Sequence, residues 1–279
     1  MNKKRLLIFI AFSFGLVWGM DAIAYGAGVK YESNAMQLVM ALSMFGPVVA
    51  MLLTRLITKE GFRNMGFGIC LKGKAKYYLL AAIIPVLYTE IGWIIYYLVD
   101  RASFDGSGMM PGENYLLPLT ALVSALLYSS AAMGEEAGWR GYMYPKLEEC
   151  FGCVGACLIG GTIWAVWHYP LLVQGHNFGT DYFGYPYLGC LVFIPYCIGV
   201  GAIQWYLTQK TKSVWPAAIL HSINNAYSAS GFFSLAMKDF DASLYKNNRL
   251  LGGLLLTLPA ILTGFAFLIM MGRKHRKTN

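Results

Sequence analysis

The chain has 279 residues, of which 57% are hydrophobic and only 13% charged, and its mean hydropathy is +0.50. A soluble domain carries about a quarter charged residues, so this composition excludes an ordinary water-soluble fold and indicates an integral membrane protein. The formal net charge of +8 raises the question of nucleic acid, and the placement of the cations along the chain answers it.

A bilayer core about 30 Å thick needs roughly 20 helical residues to cross it. Eight segments qualify, at 6–24, 36–57, 77–99, 116–133, 155–173, 187–207, 214–236 and 250–271. The intervals between them are short, with no internal repeat, so a single membrane domain over 1–279 is expected. The first segment starts "NKKR" and carries "AIA" before Tyr25, as a signal peptide would. Its apolar run of about 19 residues exceeds the usual 7–15, so it is read as a retained span. With the N-terminus inside, 17 Lys and Arg fall on inner ends and loops and 5 on outer loops (Lys30, Arg101, Lys238, Lys246 and Arg249). The positive-inside rule then places both termini in the cytoplasm. The expected fold is an all-α, polytopic membrane protein of about eight transmembrane helices. The basic charge is a topology signal with anionic lipid head groups as a secondary partner, and no nucleic-acid motif is present.

Ionisable residues inside spans are costly, which makes them informative. In chain order they are Asp21, Glu90, Glu135, Glu136, Arg140, His168 and His221. Asp21 sits near the outer end of the first span, where hydration is expected. Glu90, in "LLYTEIGWIIYY", is read as a structural hydrogen-bonding group in the bundle, with substrate access as the alternative. The fourth span runs into "SSAAMGEEAGWRGYMYP", and its helix is expected to continue to about Leu147. Successive helix residues lie about 100° apart, so Glu135 and Glu136 point in different directions. Glu136 and Arg140 are four apart and within ion-pair reach, which reads as a buried structural pair. Glu135 shares its face with Trp139 and is left to face something else. The bland alternative is a set of hydrated residues at a fraying helix end.

Cys150, Cys153 and Cys157 follow at the expected inner turn. "CFGC" has metal or redox spacing, yet no second pair or His accompanies it, so reduced structural thiols are expected. Spans four and five form a helical hairpin turning near Gly152, with Glu136 sixteen residues before it and His168 sixteen after. Residues equidistant from such a turn lie at one level. His221 enters early in span seven with Asn225 four residues on, and the same depth is within its reach. Glu135, His168, His221 and Asn225 can therefore converge toward the cytoplasmic half. His176, in "VQGHNFGTDYFG", is read as a surface residue.

These residues also spell a pattern. "EEAGWR" gives E-E-x-x-x-R, "WAVWH" an aromatic four residues before His, and "HSINN" H-x-x-x-N. Their order and separation resemble the CPBP intramembrane proteases, a family that includes type II CAAX prenyl proteases, Abi proteins and bacteriocin-immunity proteins. The resemblance spans about 115–236, the expected protease core. Trp164 stands where Phe is commoner. The resemblance implies an intramembrane endopeptidase of a bacterial cell membrane. Glu135 is implied as the catalytic glutamate, activating water with His168. His221 and Asn225 complete the site, and Glu136 and Arg140 support it.

The chemistry suits those groups: peptide hydrolysis needs a water nucleophile, a base and oxyanion donors. A second version places Zn²⁺ on Glu135, His168 and His221 with water in the open position. Asn is a poor zinc ligand and no H-E-x-x-H is present, which leans the reading toward metal-free chemistry. The expected partners are a peptide or protein substrate, lipidated or membrane-embedded, and the bilayer itself. The rival from another class is a non-catalytic immunity or scaffold protein using the same polar cluster for binding. An ion-coupled transporter is disfavoured by the lack of repeat symmetry.

Overall fold

The computed structural model describes residues 2–104, 116–228, 230–236 and 248–276. Tyr115, Lys238, Lys246 and Lys277, all used in the sequence reading, lie outside them. Among the described residues the regular structure is helical: α1 (Asn2–Gly26), α2 (Asn34–Ser43), α3 (Gly46–Ile57), α4 (Ala75–Val99), α5 (Leu117–Gly138), α6 (Tyr144–Trp167), α7 (Tyr169–Val173), α8 (Tyr187–Thr211), α9 (Trp215–Tyr227) and α10 (Arg249–Arg276). Proline opens the first turn of α3, α5, α6, α7 and α9, where its missing N–H is not needed and its φ suits the helix. Ser33 caps α2 by accepting from the Met36 N–H at 3.2 Å, satisfying one orphan donor.

Among the described residues six helical stretches are long and apolar enough to cross a membrane. The longest, Leu117–Trp167, has 51 residues and supplies two of the expected spans, because it doubles back at Gly152. There φ is 70° and ψ 173°, a conformation an L side chain avoids. Equidistance from this turn holds in the side chains. Tyr144, eight residues before, packs on Gly160, eight after. The Arg140 guanidinium, twelve before, lies 4.4 Å from the centre of the Trp164 ring, twelve after. The expected span at 36–57 divides into α2 and α3 around Met44 and Phe45. The expected span at 214–236 is the 13-residue α9 followed by a 3-10 turn, Phe232–Ala236. Thirteen residues reach about 20 Å, short of the hydrocarbon thickness.

The helices close a ring in the order α1, α3, α5, α9, α4, α10, α8, α6 and back to α1, with α8 also touching α9 across the interior. Small residues let the backbones approach, as in other membrane bundles. A Cβ on Gly138 would lie 2.6 Å from the Pro47 backbone, so α5 seats directly on α3. The outer surface carries bare aliphatic side chains, with Leu7, Ile23 and Leu127 each at least 70% exposed, as a lipid-facing surface requires. Polar groups turn inward. Glu90 accepts from the Tyr227 hydroxyl (2.5 Å) and from the backbone N–H of Phe232 (2.6 Å) and Phe233 (3.1 Å). It ties α4 to the end of α9, the structural role expected of it. Asp21 differs from its expected hydrated state: it is buried.

Candidate active site

Inside the ring α5 does not run straight on. Residues Trp139–Met143 form a π turn, a widening found mostly at functional positions. It sets both tryptophan and arginine inward: Trp139 and Arg140 are wholly buried. Glu136 and Arg140 make the ion pair that their spacing predicts, with Arg140 Nη1 donating to Glu136 Oε1 at 3.0 Å and both side chains fully shielded. The guanidinium lies against the rings of Trp164 and Tyr144, replacing lost hydration with cation–π contact.

The same Glu136 oxygen also accepts from Gln204 Nε2 of α8 at 3.0 Å and from His221 Nδ1 of α9 at 2.8 Å. One carboxylate oxygen thus gathers three helices. Because a carboxylate only accepts, the proton of the neutral imidazole sits on Nδ1, and His221 Nε2 is the basic nitrogen. That nitrogen faces Glu135 Oε1 across 4.0 Å, a gap longer than a hydrogen bond. The other oxygen of Glu135 is pinned by two indoles: Trp139 Nε1 at 3.2 Å and Trp164 Nε1 at 3.0 Å. Glu135 therefore bonds to Trp139, the residue expected on its own face, and has no i+4 ion pair like that of Glu136. Sequence could have signalled both indole bonds, since Trp139 is four residues on and Trp164 is the aromatic of the second motif.

His168 packs against Trp164. Among the described residues no hydrogen bond joins it to Glu135. It terminates α6, where its Nδ1 meets the Trp164 carbonyl at 2.9 Å; a carbonyl only accepts, so Nδ1 donates and Nε2 keeps its lone pair. Trp164 packs against both histidines, its ring centre 5.7 Å from that of His168 and 5.6 Å from that of His221. From α6 the Trp164 indole reaches the Glu135 carboxylate, close to the π turn that follows that glutamate. His176, read as surface, is half-buried against His168: the rings are parallel within 7° at 6.4 Å, and the Tyr31 hydroxyl lies 2.7 Å from His176 Nδ1. Burial pushes the His176 imidazole down to about 4, so it is neutral at working pH.

Asn225 is exposed, on the open side of α9. Its neighbour Asn224 turns inward instead, accepting from Tyr88 (2.6 Å) and Tyr196 (2.9 Å) on one amide oxygen. Neither tyrosine nor Gln204 was singled out from the sequence, where single hydroxyls and amides within apolar runs carry no periodic signal.

A metal fits this arrangement poorly. Among the described residues no three His, Cys, Asp or Glu side chains come together as a ligand set. Of the three proposed ligands, Glu135 has one oxygen engaged by two indoles and His221 has Nδ1 bonded to Glu136. Cys150, Cys153 and Cys157 are free thiols.

Residues 114–227 match the family of type II CAAX prenyl endopeptidases, Rce1-like. The chain is also 30% identical over 96 residues to CAAX prenyl protease 2 of the archaeon Methanococcus maripaludis. That match covers 34% of this chain and 35% of the relative, so it spans about a third of each. Residues 114–227 hold α5, the π turn, α6, α8 and α9, with every residue of the three motifs. Over that segment the chain is similar to the type II CAAX prenyl endopeptidases.

Proposed function

We propose that the protein is an intramembrane endopeptidase in which Glu135 and His221 activate a water between them. One observation carries the reading: two proton acceptors, Glu135 Oε1 and His221 Nε2, face each other across 4.0 Å among buried side chains. Groups at such a separation are commonly bridged by water. Glu136 behind the imidazole fixes its tautomer, as the third group of a catalytic triad does.

In the proposed step the water oxygen attacks the scissile carbonyl carbon, and its proton passes to Glu135. The carbonyl becomes an oxyanion, to which the exposed Asn225 amide can donate. Collapse breaks the C–N bond as Glu135 returns the proton to the leaving amine. His168, with its Nε2 lone pair free, is assigned to orienting the water or the leaving group on the substrate side. General acid–base help of this kind contributes about 10²–10⁴-fold. No step here passes through a metal.

The substrate is a peptide or protein segment presented in the membrane. A lipidated CAAX-type tail, the class in the relative's name, is the first to try. The test is cleavage of a peptide panel by detergent-purified protein, wild type beside Glu135→Ala, with and without chelator. Chelator-resistant cleavage lost in the variant supports the proposal. Chelator-sensitive cleavage would return the zinc version, and processing unaffected by Glu135→Ala would remove the protease reading in favour of a binding protein.

A further inference from the structure

The ends of α1 and α3 meet at one end of the bundle and enclose a cavity of about 300 Å³, away from the site. Its walls are Lys4, Arg5 and Lys59 above and Ile8 and Ile57 below, with Thr58 between. α1 and the α2–α3 stretch Asn34–Ile57 are each long and apolar enough to cross a membrane, so the cavity lies where two spans end. Lys59 is held there by the backbone: its φ of 51° ends α3 in a left-handed residue and turns the chain aside.

The charge around this cavity is one-sided. The nearby acid, Glu60, is already taken by Lys146 at 2.7 Å, Arg5 at 3.5 Å and the Tyr142 hydroxyl at 2.8 Å. Although burial alone would raise it, those partners hold the Glu60 carboxyl below its usual range, so it remains an anion. Among the described residues Lys4 and Lys59 have no ion-pair partner. Beside the cavity the outer surface is aliphatic, with Leu7 at 70% and Leu56 at 65% exposed. A cationic pocket opening onto an apolar wall at a membrane boundary has the shape of a head-group site.

We propose that the α1–α3 cavity binds the phosphate of an anionic phospholipid, with Lys4, Arg5 and Lys59 around the phosphate and the acyl chains along Leu7 and Leu56. The shared chemistry with a free phosphate is the anion alone; the acyl wall selects the lipid.

The experiment titrates the purified full chain in detergent with phosphatidylglycerol, with phosphatidylcholine of the same chains, and with inorganic phosphate, following the thermal unfolding midpoint. Phosphatidylglycerol is expected to raise the wild-type midpoint by about 3 °C or more at saturation, while the other two leave it unchanged. Each cation removed weakens binding about fivefold, so Lys4→Gln with Lys59→Gln should need about 25-fold more lipid. The distant pair Lys210→Gln with Lys212→Gln should titrate as wild type. Lipid retained through purification, counted by mass spectrometry, gives a readout independent of stability and should fall in the first pair alone. Equal responses in wild type and the Lys4/Lys59 variant, or equal loss in the distant pair, would overturn the site. A full response to inorganic phosphate would overturn the lipid.

Discussion

Two carboxylates one residue apart in α5 meet different surroundings. Glu136 lies on the sealed side: one oxygen takes Arg140, Gln204 and His221, and nothing reaches it from solvent. Glu135 lies on the open side: one oxygen rests on two indoles and the other faces a 4.0 Å gap to His221, with exposed Asn225 further along the same helix. The helical step of about 100° creates the difference. One glutamate holds the helices together and the next is left with an unfilled contact. A third carboxylate, Glu60, sets the scale. It has two cations and a tyrosine, much as Glu136 has its partners, but is partly exposed at the bundle end.

The comparison breaks most sharply on activity. Glu135→Gln keeps the shape and the indole neighbours but removes the base, and cleavage should fall at least about 100-fold while the unfolding midpoint stays near wild type. Next comes the sealed side. Arg140→Ala leaves Glu136 buried with a lost partner and should cost about 3–5 kcal/mol. Thermal unfolding in detergent reads it, and activity should be lost with the fold. Arg140→Lys should not rescue it, because an ammonium lacks the planar face that lies on Trp164 and Tyr144.

A smaller change sharpens the open side. Trp164→Phe removes one indole donor from Glu135 and keeps an aromatic ring. Hydrogen bonds to charged groups are worth about 1.5–3 kcal/mol, so kcat should drop roughly 10-fold or more with little change in KM. The smallest effect belongs to Glu60. Lys146→Ala should cost under about 1 kcal/mol and fade as salt is added. The pH dependence has a fixed sign. The folded Glu60 carboxyl is held low, so its contribution is present above the unfolded value of about 4.3 and is lost as pH falls through the folded one. The difference in unfolding midpoint between wild type and Glu60→Gln should therefore shrink on acidification from pH 6 to 3.

The polytopic all-α character, the hairpin turn at Gly152 and the Glu136–Arg140 pair were legible because each rests on local spacing: apolar length, distance from a turn, and an i to i+4 step. What stayed hidden depends on local geometry that spacing does not encode. The π turn at Trp139–Met143 carries no composition mark, and neither does the Trp164 indole's bond to Glu135 from the far arm of the hairpin. Gln204 arrives from α8, sixty-eight residues from its partner. His221 was expected near Glu135, but its hydrogen bond to Glu136 depends on the rotation of α9 against α5. Asn224 and Asn225 are adjacent and chemically identical, and only packing against Tyr88 and Tyr196 turns the first inward and leaves the second exposed.

The division of labour between the two glutamates is tested most directly by one paired measurement: Glu135→Gln and Glu136→Gln, each purified in detergent and assayed for both peptide cleavage and unfolding midpoint. The expected result is an inactive, wild-type-stable Glu135→Gln beside a clearly destabilised Glu136→Gln. Retained cleavage in Glu135→Gln, or a loss of stability in it as large as in Glu136→Gln, would contradict the account.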